Sequence, residues 1–239
     1  MKKILLMGNP NVGKSTVFSR LTGVRIVASN YPGTTVEFSQ GTMKIGKEEA
    51  VLIDAPGIYG LEASSKAENI VAEMLEKGDV VINVVDATNL ERNLHLTLHL
   101  LEKDIPVIIA LNIWDDAGHK GITIDVKKIE ELLGVPVVPT VGVTGEGIKE
   151  LVSRIPESCN PKVAQSTEEK KWMKVGKIVN EVQSLQHRHP TVLELLGEAS
   201  VKPLCGIPIA VMVMYAAFKI IRFIGEGLIG NILEPLFQR

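Results

Sequence analysis

The sequence predicts an α/β fold in which helices cover both faces of a doubly wound, mainly parallel sheet. Five short apolar runs, rich in β-branched residues and bounded by Gly, Pro or Asp, are typical of strands buried on both faces. Stretches with helical spacing separate these runs. The predicted strands are Ile4–Met7, Ala50–Ile53, Val80–Val85, Val107–Leu111 and Val135–Val138, and the predicted helices are Ser15–Leu21, Ala67–Glu76, Leu90–Glu102, Val126–Leu133 and Ile148–Arg154.

Composition narrows the class of protein. With 239 residues, 45% of them apolar, the chain has room for one α/β domain and a smaller appendage. The formal net charge of −2 provides no broad basic face, so nucleic acid is not expected as a partner. Cys159 and Cys205 lie far apart in different settings, and no structural disulfide is expected. The first apolar run leads into a glycine-rich loop, which favours a buried strand over a signal peptide.

The pattern changes twice along the chain and predicts three parts. Residues 1–157 form the α/β domain, residues 158–200 a polar linker and a helical spacer, and residues 201–239 an apolar segment. In the spacer, Trp172, Val175 and Ile178 follow helical spacing, and Thr167 stands where an N-cap is expected.

The apolar segment contains no charged residue from Pro203 to Phe218. It is long enough for a membrane span if it continues to Ile224, with Lys219 and Arg222 reaching toward the lipid headgroups. A hydrophobic helix packed on the α/β domain or on another copy is the alternative. The basic residues before the segment favour an N-terminal side in the cytoplasm if it inserts.

A phosphate-binding loop follows the first predicted strand. The segment GNPNVGKST fits the P-loop pattern, with a strand before it and a helix after it. Glycine allows backbone N–H groups to converge on phosphate oxygens, Lys14 neutralises the β and γ phosphates, and Ser15 binds Mg²⁺. The candidate nucleotide-binding residues of this loop are Gly8, Asn9, Pro10, Asn11, Val12, Gly13, Lys14, Ser15 and Thr16.

Two further segments are candidates for contact with the γ phosphate and Mg²⁺. Asp54 ends an apolar run and is placed to hold Mg²⁺, while the N–H of Gly57 is placed to meet the γ phosphate; an ordinary turn is the alternative. Thr35 or Thr34 can offer a hydroxyl to Mg²⁺ in a segment that orders with GTP.

The base is assigned to the loops after two later strands. In Asn112-Ile113-Trp114-Asp115, the Asp115 carboxylate can accept hydrogen bonds from the ring N–H and the amino group of guanine, which adenine cannot provide. A helix cap is the alternative use of Asn112 and Asp115. The loop Val141, Gly142 and Val143 follows the last strand and can pack against the base.

Together these motifs resemble the FeoB family, the prokaryotic ferrous iron transporters with an N-terminal GTPase domain. The shared segments are GNPNVGKST, NYPGTTVE, DAPG, NIWD, NVVDATNLERNLHLTLHLLE and GIPIAVMVMY. The resemblance implies a P-loop GTPase fold of the Era-like group, hydrolysis of GTP with Mg²⁺, and a place at the cytoplasmic face of the cell membrane, with residues 201–239 opening a membrane domain. A small cytoplasmic accessory protein and a homo-oligomer are partners that it leaves open.

The resemblance also implies roles for single residues. Asn11 would help hold an activating K⁺, although a turn-stabilising role is the alternative. Thr35 would be the Mg²⁺-sensing threonine, and Lys14, Asn11, Thr35 and Gly57 form the expected catalytic set. Ile58 stands where many GTPases have a water-orienting glutamine, so slow unaided hydrolysis is expected. Gly142 and Val143 replace the usual serine and small residue, which is expected to weaken nucleotide binding or hasten its release.

Two histidine pairs raise the question of a metal site. His95 and His99 are four residues apart on a predicted helix, but no carboxylate or cysteine partner can be identified from the sequence, so packing is the favoured interpretation. His187 and His189 are interpreted as a polar junction. Two other functions remain as alternatives: a soluble ribosome-assembly GTPase, and a GTP-dependent scaffold with little hydrolysis.

Overall fold

A computed structural model of the chain describes residues 1–23, 26–30, 37–61, 66–161, 163–185 and 203–228, together with residues 197 and 200. Its main feature is a seven-stranded sheet in the order β2-β3-β4-β1-β5-β6-β8. Strands β1, β4, β5, β6 and β8 are parallel, and the β2-β3 hairpin adds an antiparallel edge. The strands are β1 Lys2–Gly8, β2 Ile26–Asn30, β3 Glu37–Ile45, β4 Glu48–Asp54, β5 Val80–Asp86, β6 Val107–Asn112, β7 Ile122–Ile124, β8 Val137–Pro139 and β9 Gln183–Leu185.

Helices pack on both faces of this sheet, as predicted. Alternate residues of β1 belong to two separate hydrophobic clusters: Leu5 and Met7 pack with α3, whereas Ile4 and Leu6 pack with α1. The doubly buried strands explain the continuous apolar runs. The helices are α1 Lys14–Thr22, α2 Lys66–Lys77, α3 Leu90–Leu101, α4 Trp114–His119, α5 Val126–Leu133, α6 Ile148–Arg154, α7 Glu168–Val182 and α8 Pro203–Leu228.

The sheet contains elements that the apolar runs did not predict. Strand β3 has no continuous apolar run, because only some of its side chains, such as Met43, are buried and the exposed ones are polar. It turns into β4 at Gly46, whose φ of 60° is favourable for glycine. Strand β8 begins at Val137, two residues later than predicted, because it pairs with β6 only from that residue.

Helix α7 is part of the same compact unit as the sheet. Val175, Ile178 and Val182 are buried in the hydrophobic cluster that also contains α3. The end of α7 continues into β9, which pairs with β7 in a small antiparallel sheet. Thr167 occupies the predicted N-cap position, but its side chain makes no capping hydrogen bond.

The chain divides into two compact units, residues 1–187 and 188–239. The second unit contains α8, whose segment Gly206–Glu226 has 21 residues and a mean hydropathy of 1.9. By length and composition this segment can cross a membrane. Pro208 lies within the first turns of α8.

Candidate nucleotide-binding site

The loop between β1 and α1 needs glycine for steric reasons. A Cβ atom on Gly8 would lie 2.5 Å from the carbonyl oxygen of Val84, and one on Gly13 would lie 2.4 Å from Nδ2 of Asn112. Gly13 is also left-handed, with φ of 80°, and Asn11 is left-handed with φ of 67°. The loop therefore follows a path that exposes backbone N–H groups at the start of α1.

Charged groups of two predicted motifs meet beside this loop. The ammonium group of Lys14 contacts the carboxylate of Asp54 and the carbonyl oxygen of Ala55, and both charged side chains are 13% exposed. Strand β1 pairs directly with β4, which brings Asp54 to the same sheet edge as the loop. The structure thus brings Lys14, predicted to bind the phosphates, into contact with Asp54, predicted to hold Mg²⁺.

A cleft of about 390 Å³ opens at this edge. Gly57 lies on its wall, where a Cβ atom would stand 3.3 Å from the backbone of Pro10. Ser15 and Thr16, in the first turn of α1, are exposed and also line the cleft. The cleft is lined by Asn9, Pro10, Asn11, Gly13, Lys14, Ser15, Thr16 and Gly57.

The side chain of Asn112 connects the phosphate loop to the loop after β8. Its Nδ2 donates to the carbonyl oxygen of Val12 at 2.9 Å, and its Oδ1 accepts from the N–H of Gly142 at 2.9 Å and the hydroxyl of Thr140 at 3.3 Å. Asn112 is only 3% exposed. Its amide is therefore engaged within the protein, which makes it a positioning residue for the two loops.

Asp115 is exposed in the first turn of α4, immediately after the carboxyl end of β6. Ile113 precedes this helix with a left-handed φ of 60°. Asp115 thus lies three residues after Asn112, whose side chain bonds to both the phosphate loop and the loop after β8.

The loop after β8 is held against α1. Arg20 donates from Nε to the carbonyl oxygen of Gly142 at 3.1 Å and also contacts that of Val143. Val141 is buried, whereas Val143 is 74% exposed. A Cβ atom on Gly142 would lie 3.3 Å from Cγ2 of Thr16. The close packing accounts for glycine at this atypical position.

Two predicted residues, Thr34 and Thr35, lie outside the described residues, as do His187 and His189. Ile58 is 3% exposed and packs in the core, so its side chain has no access to a water in the cleft.

Asn9 is also buried, and its Nδ2 donates to the carbonyl oxygen of Arg92 at 3.3 Å. This contact ties the phosphate loop to the start of α3, a link between distant residues that sequence reasoning missed.

A second group of polar residues lies between α3 and α7. No carboxylate partner of His95 and His99 can be identified from the sequence, but the structure places Glu168 beside both. The buried Lys171 donates to Nδ1 of His99 at 3.1 Å. Burial first, and then the charge of Lys171, lower the pKa of His99, so its ring is neutral at neutral pH.

The fold and the cleft define a P-loop GTPase domain: a phosphate loop between β1 and α1, an acidic residue at the end of β4, and Asn112 and Asp115 after β6. Residues 2–155 match the family model described as ferrous iron transport protein B. The chain belongs to that family.

Known relatives agree with this assignment. A Porphyromonas gingivalis protein, named as a fusion of Fe(2+) transport protein A and Fe(2+) transporter FeoB, is 45% identical over 152 residues, which are 62% of this chain and 18% of the relative. The cytosolic domain of Legionella pneumophila FeoB is 32% identical with a TM-score of 0.69, covering 77% of this chain and 100% of that one. A mutant S. thermophilus NFeoB bound to GDP is 40% identical with a TM-score of 0.64, covering 69% and 64%.

Proposed function

We propose that this chain binds and hydrolyses GTP and regulates a ferrous iron transporter. The meeting of Lys14 with Asp54 beside the glycine loop, within reach of Gly57, is the observation that carries the proposal. The solved relative bound to GDP supports a guanine nucleotide as the ligand.

The proposed chemistry assigns a role to each of the predicted site residues. Lys14 turns from Asp54 to the β and γ phosphates when GTP binds, because a polyphosphate carries more negative charge than one carboxylate. Ser15, Asp54 and Thr35 would supply the hard oxygen ligands that Mg²⁺ prefers, and a bound ion would offset charge on the phosphates. The N–H of Gly57 binds the γ phosphate.

Hydrolysis needs a group that orients water or stabilises charge, and Ile58 cannot serve because it is apolar and buried. We assign the charge-stabilising role to K⁺ held by the side-chain oxygen of Asn11, which lies exposed in the phosphate cleft. Turnover is then slow in the absence of K⁺.

The test is GTP hydrolysis in matched KCl and NaCl, with nucleotide affinity measured in both salts. Asn11→Gly is the informative variant, since glycine keeps the left-handed backbone and removes only the side chain. We expect K⁺ stimulation of at least about tenfold, a barrier change near 1.4 kcal/mol, and its loss in the variant. Equal rates in the two salts would remove the role assigned to Asn11. A Lys14→Ala variant that still binds GTP normally would contradict the assignment of this loop as the phosphate-binding site.

Base selection has its own test. Asp115→Asn replaces an acceptor oxygen with an N–H donor, which suits the carbonyl that xanthine carries in place of the guanine amino group. We expect affinity to shift from GTP toward XTP by about 100-fold or more. Asp116→Asn, on the same helix, is the matched control and should leave the preference unchanged. A variant at Asp115 that still prefers GTP would exclude this residue as the base-recognising group.

The proposed role in iron transport is inferred from membership of the family. The chain spans about a fifth of the length of the Porphyromonas gingivalis relative, so iron passage is assigned to the whole transporter. Residues 201–239 begin its membrane domain, residues 158–200 serve as linker and spacer, and residues 1–157 lie at the cytoplasmic face. The fusion in that relative supports a small accessory protein as a partner, and a homo-oligomer remains open.

A GTP-dependent scaffold is the second candidate, because the burial of Ile58 leaves no glutamine-like group at its position. Single-turnover hydrolysis in KCl distinguishes the two. A GTP complex that persists unhydrolysed in KCl would favour the scaffold.

A further inference from the structure

Three potential metal ligands from distant parts of the sequence meet between α3 and α7. His95 and His99 lie one helical turn apart on α3, and Glu168 is the first residue of α7. Nε2 of His95 is 3.0 Å from Oε2 of Glu168, and Nε2 of His99 is 3.4 Å from Oε1. One ligand atom from each of the three side chains lies within 4.8 Å of the others.

These separations suit a bound cation. Nitrogen and oxygen ligands at about 2.0–2.2 Å from a tetrahedral or octahedral metal ion lie about 2.9–3.5 Å from one another. Both histidine–glutamate separations fall within that range, one to each oxygen of Glu168. Two imidazoles and one carboxylate form a ligand set typical of iron and zinc sites.

The buried Nε2 atom of His99 independently indicates that a ligand binds here. It is 6% exposed, and its Nε2 makes no hydrogen bond with any described residue, since the 3.4 Å approach to Glu168 lacks hydrogen-bond geometry. A buried ring nitrogen without a partner is costly. His99 lines an open cleft of about 530 Å³, together with the other two candidate ligands.

The surrounding residues hold the ligands in place. The ring of Trp172 stacks on that of His95, with centroids 4.2 Å apart and planes at 19°. Lys171 donates to Oε1 of Glu168 at 2.8 Å and lies 3.1 Å from Oε2 of Glu102. A cation on Nε2 of His99 requires the ring proton on Nδ1, so Lys171 turns away from that atom and keeps Glu102 as its partner.

The charge of the cleft favours a dication. Glu68 and Arg92 also line it, and the guanidinium group of Arg92 lies 4.4 Å from the ring centroid of Tyr59, on the rim of the cleft. With neutral imidazoles, the charged residues in and behind the cleft sum to −1. They are Glu68, Glu102, Glu168, Arg92 and Lys171.

We propose that His95, His99 and Glu168 form a binding site for a divalent transition-metal cation of the Fe²⁺, Co²⁺ or Zn²⁺ type. Such ions accept imidazole ligands, whereas Mg²⁺ and Ca²⁺ prefer all-oxygen sites. The bound ion cross-links α3 to α7. These three residues alone form the proposed site, which does not depend on the proposed nucleotide function.

The proposed metal site lies close to the segment that follows Gly57. A Cβ atom on Gly60 would lie 3.9 Å from Nε2 of His99, and Gly60 is three residues after Gly57 on the wall of the phosphate cleft. A metal ion at His99 therefore lies beside the segment that leaves the nucleotide site.

The experiment titrates the full chain, in detergent and excess Mg²⁺, with Co²⁺ followed by its visible absorption and with Zn²⁺ followed by calorimetry. We expect one site per chain, with Co²⁺ bands typical of nitrogen and oxygen ligation. Glu168→Gln and His95→Gln should each weaken binding by about 100-fold or more. Zn²⁺ should raise the midpoint of thermal unfolding of the unaltered chain by about 5 °C.

Control variants exclude binding elsewhere. His119→Gln and the double variant His187→Gln/His189→Gln should keep the affinity, and circular dichroism should show all variants folded. Binding that disappears in a control variant, or that persists in Glu168→Gln, would overturn the proposal. Absence of Co²⁺ or Zn²⁺ binding to the folded, unaltered chain would overturn it as well.

Discussion

A single buried amide organises the nucleotide site at the scale of residues. Asn112 stands at the end of β6, and its three hydrogen bonds reach the phosphate loop through Val12 and the β8 loop through Gly142 and Thr140. Because those loops come from opposite ends of the domain sequence, the geometry of the cleft depends on this side chain as well as on the loops themselves.

Replacing Asn112 by alanine should therefore affect both folding and binding. The variant leaves a buried carbonyl oxygen and N–H without partners, and we expect a loss of about 1–3 kcal/mol in the free energy of unfolding. GTP affinity should fall at least about tenfold. Denaturant unfolding and nucleotide titration measure the two effects. Asn160→Ala is the control, since Asn160 lies outside the nucleotide site and its side chain bonds to Asp104 at the surface. Unchanged GTP affinity would show that the loops hold their positions without the amide.

At the scale of elements, an ion pair joins α3 to α7 in addition to their apolar contact. Burial opposes charge on Glu102, but hydrogen bonds from Lys171 and Ser166 outweigh it and lower the pKa of Glu102. Burial also opposes charge on Lys171, yet hydrogen bonds to Glu168 and Glu102 raise its pKa. Both groups are therefore charged at neutral pH, and the pair holds the first turn of α7 on the end of α3.

The lowered pKa of Glu102 predicts a pH dependence. A carboxylate with a depressed folded-state pKa contributes stability that is complete above its unfolded pKa of 4.5 and is lost as the pH falls through the folded value. We expect Glu102→Gln to be less stable than the unaltered chain at pH 7 and to lose less stability between about pH 5 and pH 3. Urea unfolding over that range gives the comparison. Parallel profiles for the two proteins would mean that Glu102 does not carry this dependence.

At the scale of the whole molecule, a domain of the P-loop GTPase class is followed by a helix able to cross a membrane. The apolar segment of α8 is uninterrupted by charge from Pro203 to Phe218. Its length and composition suit either a membrane span or a hydrophobic contact surface, and we propose the span.

Flotation with lipid vesicles tests this proposal. The full chain should float with vesicles of neutral lipid, whereas the double variant Val211→Asp/Met214→Asp should remain at the bottom of the gradient, because a carboxylate at the bilayer centre costs about 2.5–3.5 kcal/mol. Glu146→Asp is a control that should float like the unaltered chain. A double variant that floats equally well would exclude insertion of α8.

The sequence by itself determined the chemistry of the phosphate loop and the positions of the buried strands along the chain. Both are local properties: a loop such as GNPNVGKST contains its donors within a few residues, and burial on both faces leaves a continuous apolar run. The spacer helix was predictable for the same reason. The antiparallel edge at β3 was missed because a half-exposed strand leaves only a weak pattern.

Only the tertiary structure decided which distant side chains meet. Asn112 becomes a bridge because β6 ends beside the phosphate loop, and Glu168 reaches His95 and His99 because α7 packs on α3. Glu168 is 73 residues from His95 in the chain, a separation that carries no periodic or motif signal. Contacts of this kind arise from the packing of elements, so a cluster of two histidines and a carboxylate becomes visible only after the fold has formed.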